Sequence, residues 1–246
     1  MQQRYDLNAD VGEGFGFDDD LLDVISSANV ACGFHAGDPL TMRTLCSWAA
    51  ERDVAVGAQV SYRDREGFGR REVEIAEPDL VADLTEQVEA LLAAARDAST
   101  SVRYLKPHGA LYNRCVHDPE HARAVVSVAT SYELAVLGLP GSVLLDLASA
   151  VGLSARREFF ADRAYDAVGH LVARSVPGAV VDDPALVVAR VRRLVRSGAV
   201  VSVDGGELDV AADSVCVHGD TAEAASLARS VRRTLEAEGV SVVACW

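Results

Sequence analysis

The chain has 246 residues, half of them hydrophobic, and a formal net charge of −14. That acidity argues against non-specific nucleic-acid binding, which needs clustered Lys and Arg. No apolar run approaches the roughly 18 residues of a membrane span, and the N-terminus shows no apolar signal region. Five scattered cysteines (Cys32, Cys46, Cys115, Cys216 and Cys245) without C-x-x-C spacing suit a thiol-reducing cytoplasm. No linker-like or low-complexity stretch divides the chain, so one domain over residues 1–246 is expected.

In chain order, residues 5–9 alternate as a first strand, and Asn8, Asp10 and Glu13 are expected in the loop that follows. An Asn and two carboxylates at a strand end suit a cation, a substrate amide or a catalytic water. An Asx-turn with solvated acids is the competing account. Glycines 12, 14 and 16 lack the G-x-G-x-x-G spacing of a dinucleotide loop. Residues 18–24 predict a short helix. Residues 27–39, S-A-N-V-A-C-G-F-H-A-G-D-P, then read as strand, tight loop and helix start. Asp38 and Pro39 form an N-cap and N1 pair there, and Asn29 and His35 supply the chemistry. Cys32 is expected to be a buried filler rather than a nucleophile.

Residues 54–58 predict a third strand, followed by Gln59 and by E-G-F-G-R-R. In an acidic chain the pair Arg70 and Arg71 invites an anion; a salt bridge to Glu72 or Glu74 is the competing account. Residues 78–95 carry a core-facing Leu/Val stripe. Residues 102–105 predict a fourth strand ending in K-P-H-G-A-L-Y-N. Lys106 and His108, two apart on extended chain, point to one side, with Tyr112 and Asn113 beyond them. His117 and His121 share a helix face, read as an exposed first turn rather than a metal pair.

Residues 134–139 predict a fifth strand, and Ser142 caps the next helix. Residues 156–160 predict a sixth, with Glu158 costly to bury unless paired. Glu158, Asp162 and Arg163 together read as a functional strand end. Residues 169–180 break the βα rhythm, with Arg174 facing a ligand. A helix over 184–197 precedes a hairpin over 200–210 with a Gly-Gly turn. Residues 214–217 form a last inner strand ending in His218 and Asp220, and a helix runs from 221 to 239.

Polar residues therefore gather at the ends of about seven strands, the pattern of an α/β protein built as a (β/α) barrel with its site at one mouth. The motifs D-L-N-A-D-V-G-E, S-A-N-V-A-C-G-F-H-A-G-D-P, E-G-F-G-R-R, Y-L-K-P-H-G-A-L-Y-N, F-A-D-R-A-Y and C-V-H-G-D resemble the LamB/YcsF family, in order along nearly the whole chain. The resemblance implies a distorted seven-stranded barrel related to glycoside hydrolases and polysaccharide deacetylases. It further implies the A component of a prokaryotic enzyme that opens 5-oxo-L-proline to L-glutamate with ATP, working with B and C subunits. One departure is visible: the family commonly reads G-A-H-P after the third strand, where this chain has Gly57-Ala58-Gln59-Val60. A neutral Gln cannot transfer a proton, although it can hydrogen-bond.

On that resemblance Asp10, His35, Lys106 and His108 are expected to be catalytic. Asn8, Asn29, Gln59, Arg70, Asn113, Glu158, His218 and Asp220 are expected to bind substrate. Asp10, His35 and His108 could also hold a divalent ion, in addition to the Mg2+ that accompanies ATP. No G-x-x-x-x-G-K-[ST] motif occurs, so the sequence does not say which component binds ATP. It also leaves self-association into a homo-oligomer open. Two rival readings share the barrel: a stand-alone metal-dependent deacetylase or amide hydrolase, and a non-catalytic component that presents 5-oxoproline to its partners.

Overall fold

The computed structural model describes residues 3–219 and 223–246. Its first strand, β1 (Arg4–Val11), explains the rest of the architecture. Tyr5, Leu7, Ala9 and Val11 join the apolar core. Asp6, Asn8 and Asp10 alternate with them and are buried on the other face. A strand that is apolar outward and polar inward suits a barrel whose helices cover the outside.

The neighbours β2 (Ser27–Ala31), β3 (Ala55–Val60), β4 (Val102–Pro107), β5 (Ala135–Gly138) and β6 (Ala155–Phe160) follow in parallel, one beside the next. A hairpin of β7 (Ala199–Val201) and β8 (Glu207–Asp209) stands outside this sheet. The strand β9 (Ser214–Val217) then pairs with β6 on one side and β1 on the other, closing a seven-stranded parallel barrel. The helices α1 (Asp18–Leu22), α2 (Pro39–Glu51), α3 (Glu77–Asp97), α4 (Gly109–Arg114), α5 (Pro119–Ser131), α6 (Val143–Ala150), α7 (Pro184–Ser197) and α8 (Ala224–Ala237) connect the strands. None is long and apolar enough to cross a membrane.

The expected caps are present. Asp38 accepts from the backbone N–H groups of Leu40 and Thr41, each at 2.9 Å, and Pro39 opens α2. Ser142 accepts from the Leu145 N–H. Three strands run further than expected. Asn8 and Asp10 lie inside β1, Gln59 inside β3 and Lys106 inside β4. Polarity does not mark a strand end here, because the inward side chains satisfy one another across the barrel. His121 also departs from the exposed first turn: it is buried, with Tyr62 hydrogen-bonded to its Nδ1. The C-terminal tail adds a further strand, β10 (Ser241–Val242), parallel to the start of β1. Beyond it Trp246 stacks on Tyr104, with ring centres 3.8 Å apart, and its Nε1–H donates to Ser27 Oγ at 2.7 Å.

Tyr104 needs a glycine beside it. Its register partner on β3 is Gly57, and a β-carbon there would fall within the Tyr104 ring. Gly57→Ala is therefore expected to lower stability by about 1–3 kcal/mol, as overpacked cores do. A shift of the urea midpoint at unchanged slope would show it.

Candidate active site

The inward side chains form a polar column. At the bottom Asp6 is fully buried and accepts from the hydroxyls of Ser26 and Ser27, each at 2.6 Å, and from Ser214. Asn8 donates to Ser214 Oγ at 2.7 Å, and Asn29 donates to Asn8 Oδ1 at 2.7 Å and Asp10 Oδ1 at 2.8 Å. Tyr104 donates its hydroxyl to Asn29 Oδ1 at 2.6 Å.

Above this floor stands Lys106, 2 % exposed, with its Nζ 3.0 Å from Asp10 Oδ1 and 2.8 Å from Glu158 Oε1. Burial alone would lower the ammonium pKa, but Asp10, Cys216 and Glu158 outweigh it and raise it well above the ordinary value. Burial would likewise raise the Asp10 carboxyl, yet Lys106, His218 and His108 hold it well below its ordinary range. Both groups therefore stay charged.

Asp10, Lys106, His108, Asn113, Arg70 and His218 line one cavity of about 360 Å³ at the C-terminal mouth of the barrel. Six of the expected site residues thus meet in one place. His35 and Gln59 are buried behind His108. The two imidazoles stack with centres 4.0 Å apart and planes 12° from parallel. Asn8, Asn29 and Glu158 lie deeper and are fully buried. Instead of touching a ligand in the cavity they hold Asp10 and Lys106, because the polar column needs its own partners below the mouth. Asp220 lies outside the described residues. The basic pair separates: Arg71 bonds Asp64, with Nε 2.7 Å from Oδ1, and leaves Glu72 and Glu74 aside, while Arg70 turns toward the cavity over the Phe68 ring.

The carboxylate that faces both imidazoles is Glu13, not Asp10. Glu13 Oε1 lies 3.6 Å from His35 Nε2 and 3.5 Å from His108 Nδ1. Asp10 has one oxygen committed to Lys106 and Asn29 and the other 3.9 Å from His108. Glu13 sits beyond the end of β1, so its side chain folds back over the mouth. It belongs to the same sequence cluster as Asp10, and only the fold tells the two apart.

Hydrogen bonds assign the imidazole protons. Gln59 Nε2 lies 2.9 Å from His108 Nδ1 and 3.2 Å from Glu13 Oε1, so it donates to both. His108 Nε2–H then donates to the Phe68 carbonyl at 3.2 Å. Burial and the adjacent His35 push the His108 pKa well below 6.5, in keeping with that neutral ring. Ser61 gives its proton to the Tyr62 carbonyl, so it accepts from His35 Nδ1 at 2.9 Å. His35 Nε2 is left buried without a hydrogen-bond partner.

Three further residues line the cavity: Tyr112, Arg163 from the expected functional strand end, and Arg174, the residue expected to face a ligand. Tyr112 is 6 % exposed. Burial, with Arg174 nearby, lowers the Arg163 pKa to about 10. Cys32 is buried and its thiol pKa is pushed up by burial, as a filler should be.

A closed parallel barrel with ionised groups at its C-terminal mouth is an α/β barrel, and in that fold the mouth is where ligands bind. The match to the LamB/YcsF family model spans residues 5–245, and the chain belongs to that family. It is 54 % identical over 244 residues, 96 % of this chain and 98 % of the relative, to the A component of 5-oxoprolinase from Streptomyces coelicolor. The crystal structure of the "lactam utilization protein" from Thermus thermophilus superposes with a TM-score of 0.91 at 39 % identity, covering 99 % of this chain and all of that one. A family 4 carbohydrate esterase from Streptomyces lividans shares the fold alone, at 10 % identity and a TM-score of 0.52 over 98 % of this chain and 93 % of its own.

Lys106→Met would leave Asp10 and Glu158 buried without their cation, at an expected cost of about 3–5 kcal/mol. Asp10 also sets a pH signature. Its carboxyl titrates lower in the folded chain, so the unfolded chain takes up the extra proton as pH falls below about 4. Stabilisation by the pair is full above that pH and is lost toward acid. Denaturation midpoints from about pH 3 to 7 should fall more gently on the acid side in Lys106→Met than in wild type.

Proposed function

We propose that this chain is the A component of a 5-oxoprolinase and takes part in the ATP-dependent hydrolytic opening of 5-oxo-L-proline to L-glutamate, ADP and phosphate. The observation that carries the reading is the cavity. It has room for a small ring, a carboxylate–ammonium floor at Asp10 and Lys106, and guanidinium groups at its wall, within a chain 54 % identical to the A component of a 5-oxoprolinase. Its partners on this reading are the B and C subunits. The five free cysteines suit a cytoplasmic setting.

The cyclic amide is chemically inert, which is the reason for coupling to ATP. Phosphorylation of the amide oxygen makes the ring carbon electrophilic. Water then adds and opens the ring as γ-glutamyl phosphate, and a second water hydrolyses that acyl phosphate to glutamate and phosphate. Such chemistry needs cations for the substrate carboxylate or phosphoryl group, and donors for developing negative charge. Lys106 and Arg70 supply the first. Asn113 orients the ring amide at the cavity wall. Asp10, held ionised, keeps Lys106 protonated and in place. Its low pKa makes it a charge anchor in preference to a base.

His35, His108 and Glu13 form a donor set that fits a divalent ion. One ligand atom from each lies within 4.8 Å of the others, and His35 Nε2 is an orphaned nitrogen. The Gln59 amide now donates to two of them; turned over, its own unpartnered Oε1 would add a fourth donor. When bound, such an ion would polarise the ring carbonyl or acidify a water. Imidazole nitrogens and a carboxylate in this arrangement also support the second reading, a metal-dependent amide hydrolase that works without ATP.

Purified chain with and without its B and C partners, given 5-oxoproline and ATP, should release glutamate only in the complete mixture. Turnover by the chain alone without ATP, lost on chelation, would favour the second reading. His35→Ala and His108→Ala should each lower turnover by about 10²–10⁴-fold while the fold persists by circular dichroism; near-normal rates would remove both from the mechanism. Cobalt(II) titration should give a visible absorption band in wild type that His35→Ala lacks, and no band in either would remove the metal.

A further inference from the structure

His218 follows β9 at the mouth and stacks against Phe160, with ring centres 5.5 Å apart. It lines the same cavity as Asp10, Lys106 and His108. Its Nδ1 lies 2.8 and 3.0 Å from the two carboxylate oxygens of Asp162, which is 6 % exposed. The His218 backbone N–H also donates to Asp162 Oδ2, at 2.9 Å. One carboxylate therefore grips this residue by backbone and ring together.

Burial would raise the Asp162 pKa, but the His218 charge and its two hydrogen bonds outweigh it, and the carboxyl is lowered. An ionised carboxylate only accepts, so Nδ1 carries the proton and the lone pair of the neutral ring sits on Nε2. No hydrogen bond to Nε2 is found among the described residues. The other barrel histidines are placed differently. Both His108 nitrogens are bonded to protein groups, and His35 turns its Nε2 toward Glu13 behind His108. Of the three, His218 is the one that is oriented by a carboxylate and keeps a nitrogen for the cavity.

We propose that His218 is the acid–base catalyst of the ring opening and that Asp162 is its positioning residue. The inference rests on the cyclic-amide reading above. After a phosphoryl donor has capped the amide oxygen and the amide N–H proton has been lost to solvent, the ring carbon is doubly bonded to a neutral nitrogen. Water oxygen bonds to that carbon, the C=N π pair moves to nitrogen, and Nε2 carries the water's proton to that nitrogen. The hydroxyl so formed then becomes a carbonyl. Its proton leaves to Nε2, the ring C–N bond breaks with its electron pair going to nitrogen, and Nε2 delivers the proton there. One water is consumed, and a primary amine and an acyl phosphate are formed. His218 returns to its starting state, and its Nδ1 proton stays directed at Asp162 throughout.

Asp162→Asn is a sharp test. The His218 backbone N–H needs an acceptor, so the amide oxygen faces it and the amide NH2 faces Nδ1. Nδ1 must then accept, which moves the ring proton to Nε2 and removes the base. Assayed with the partner subunits, 5-oxoproline and ATP, Asp162→Asn should lower kcat by up to about 10⁴-fold, and Asp162→Glu should recover part of it. His218→Ala and His218→Gln should lower kcat by about 10²–10⁴-fold with KM for 5-oxoproline within about threefold of wild type. A His218→Ala kcat above about a third of wild type, or losses confined to KM, overturns the inference. Independently of turnover, ¹⁵N spectra of the histidine-labelled chain should show His218 as the Nδ1–H tautomer in wild type and as Nε2–H in Asp162→Asn. An Nε2–H ring in the wild type overturns it equally. A wild-type assembly that releases no glutamate counts against the cyclic-amide reading instead, and the spectra then decide the dyad alone.

Discussion

The ammonium of Lys106, fixed between Asp10 and Glu158 on the barrel axis, is the interaction on which the rest depends. Burying one cation and two carboxylates is unfavourable unless each finds its counter-charge and its remaining hydrogen bonds. The barrel supplies the counter-charges, and it supplies hydrogen bonds on the Asp10 side, whereas among the described residues the Glu158 oxygens have only the ammonium of Lys106. Asn8 and Asn29 surround the Asp10 side of the pair, and Ser26, Ser27 and Ser214 hydrogen-bond the isolated Asp6 beneath. A column of polar groups therefore stands where the eight-stranded (β/α) barrel places branched apolar side chains. The glycine at 57 and the aromatic plug of Tyr104 and Trp246 close its base.

That column gives the mouth its charge pattern. Asp10 is kept ionised and Lys106 protonated, so the floor of the cavity holds fixed charge that needs no reorganisation when a ligand arrives. The walls differ from one another. One side carries the stacked imidazoles with Glu13, the other carries Arg163, Arg174 and the His218–Asp162 pair.

Gln59 has a local role at the position where the resemblance leads one to expect a histidine. Its amide gives hydrogen bonds to His108 and Glu13 at once, which holds the imidazole in one tautomer and draws the carboxylate inward. A hydrogen-bonding role survives at this position.

Much of this was legible in the chain order of residues. The alternation in β1, the Asp38-Pro39 and Ser142 caps, the Leu/Val stripe of α3 and the hairpin of β7 and β8 are local consequences of periodicity and capping chemistry, and local patterns can be read without a fold. The family motifs marked which strand ends carry polar groups. Only the tertiary structure decided what those groups do. Asp10 and Glu13 lie three residues apart, yet one faces Lys106 and the other faces two imidazoles. Asp162 is 56 residues from His218 and holds its Nδ1. Asn8, Asn29 and Glu158 look like ligand contacts in sequence but lie beneath the cavity, because burial and pairing are set by strand register and barrel closure, which no single segment encodes.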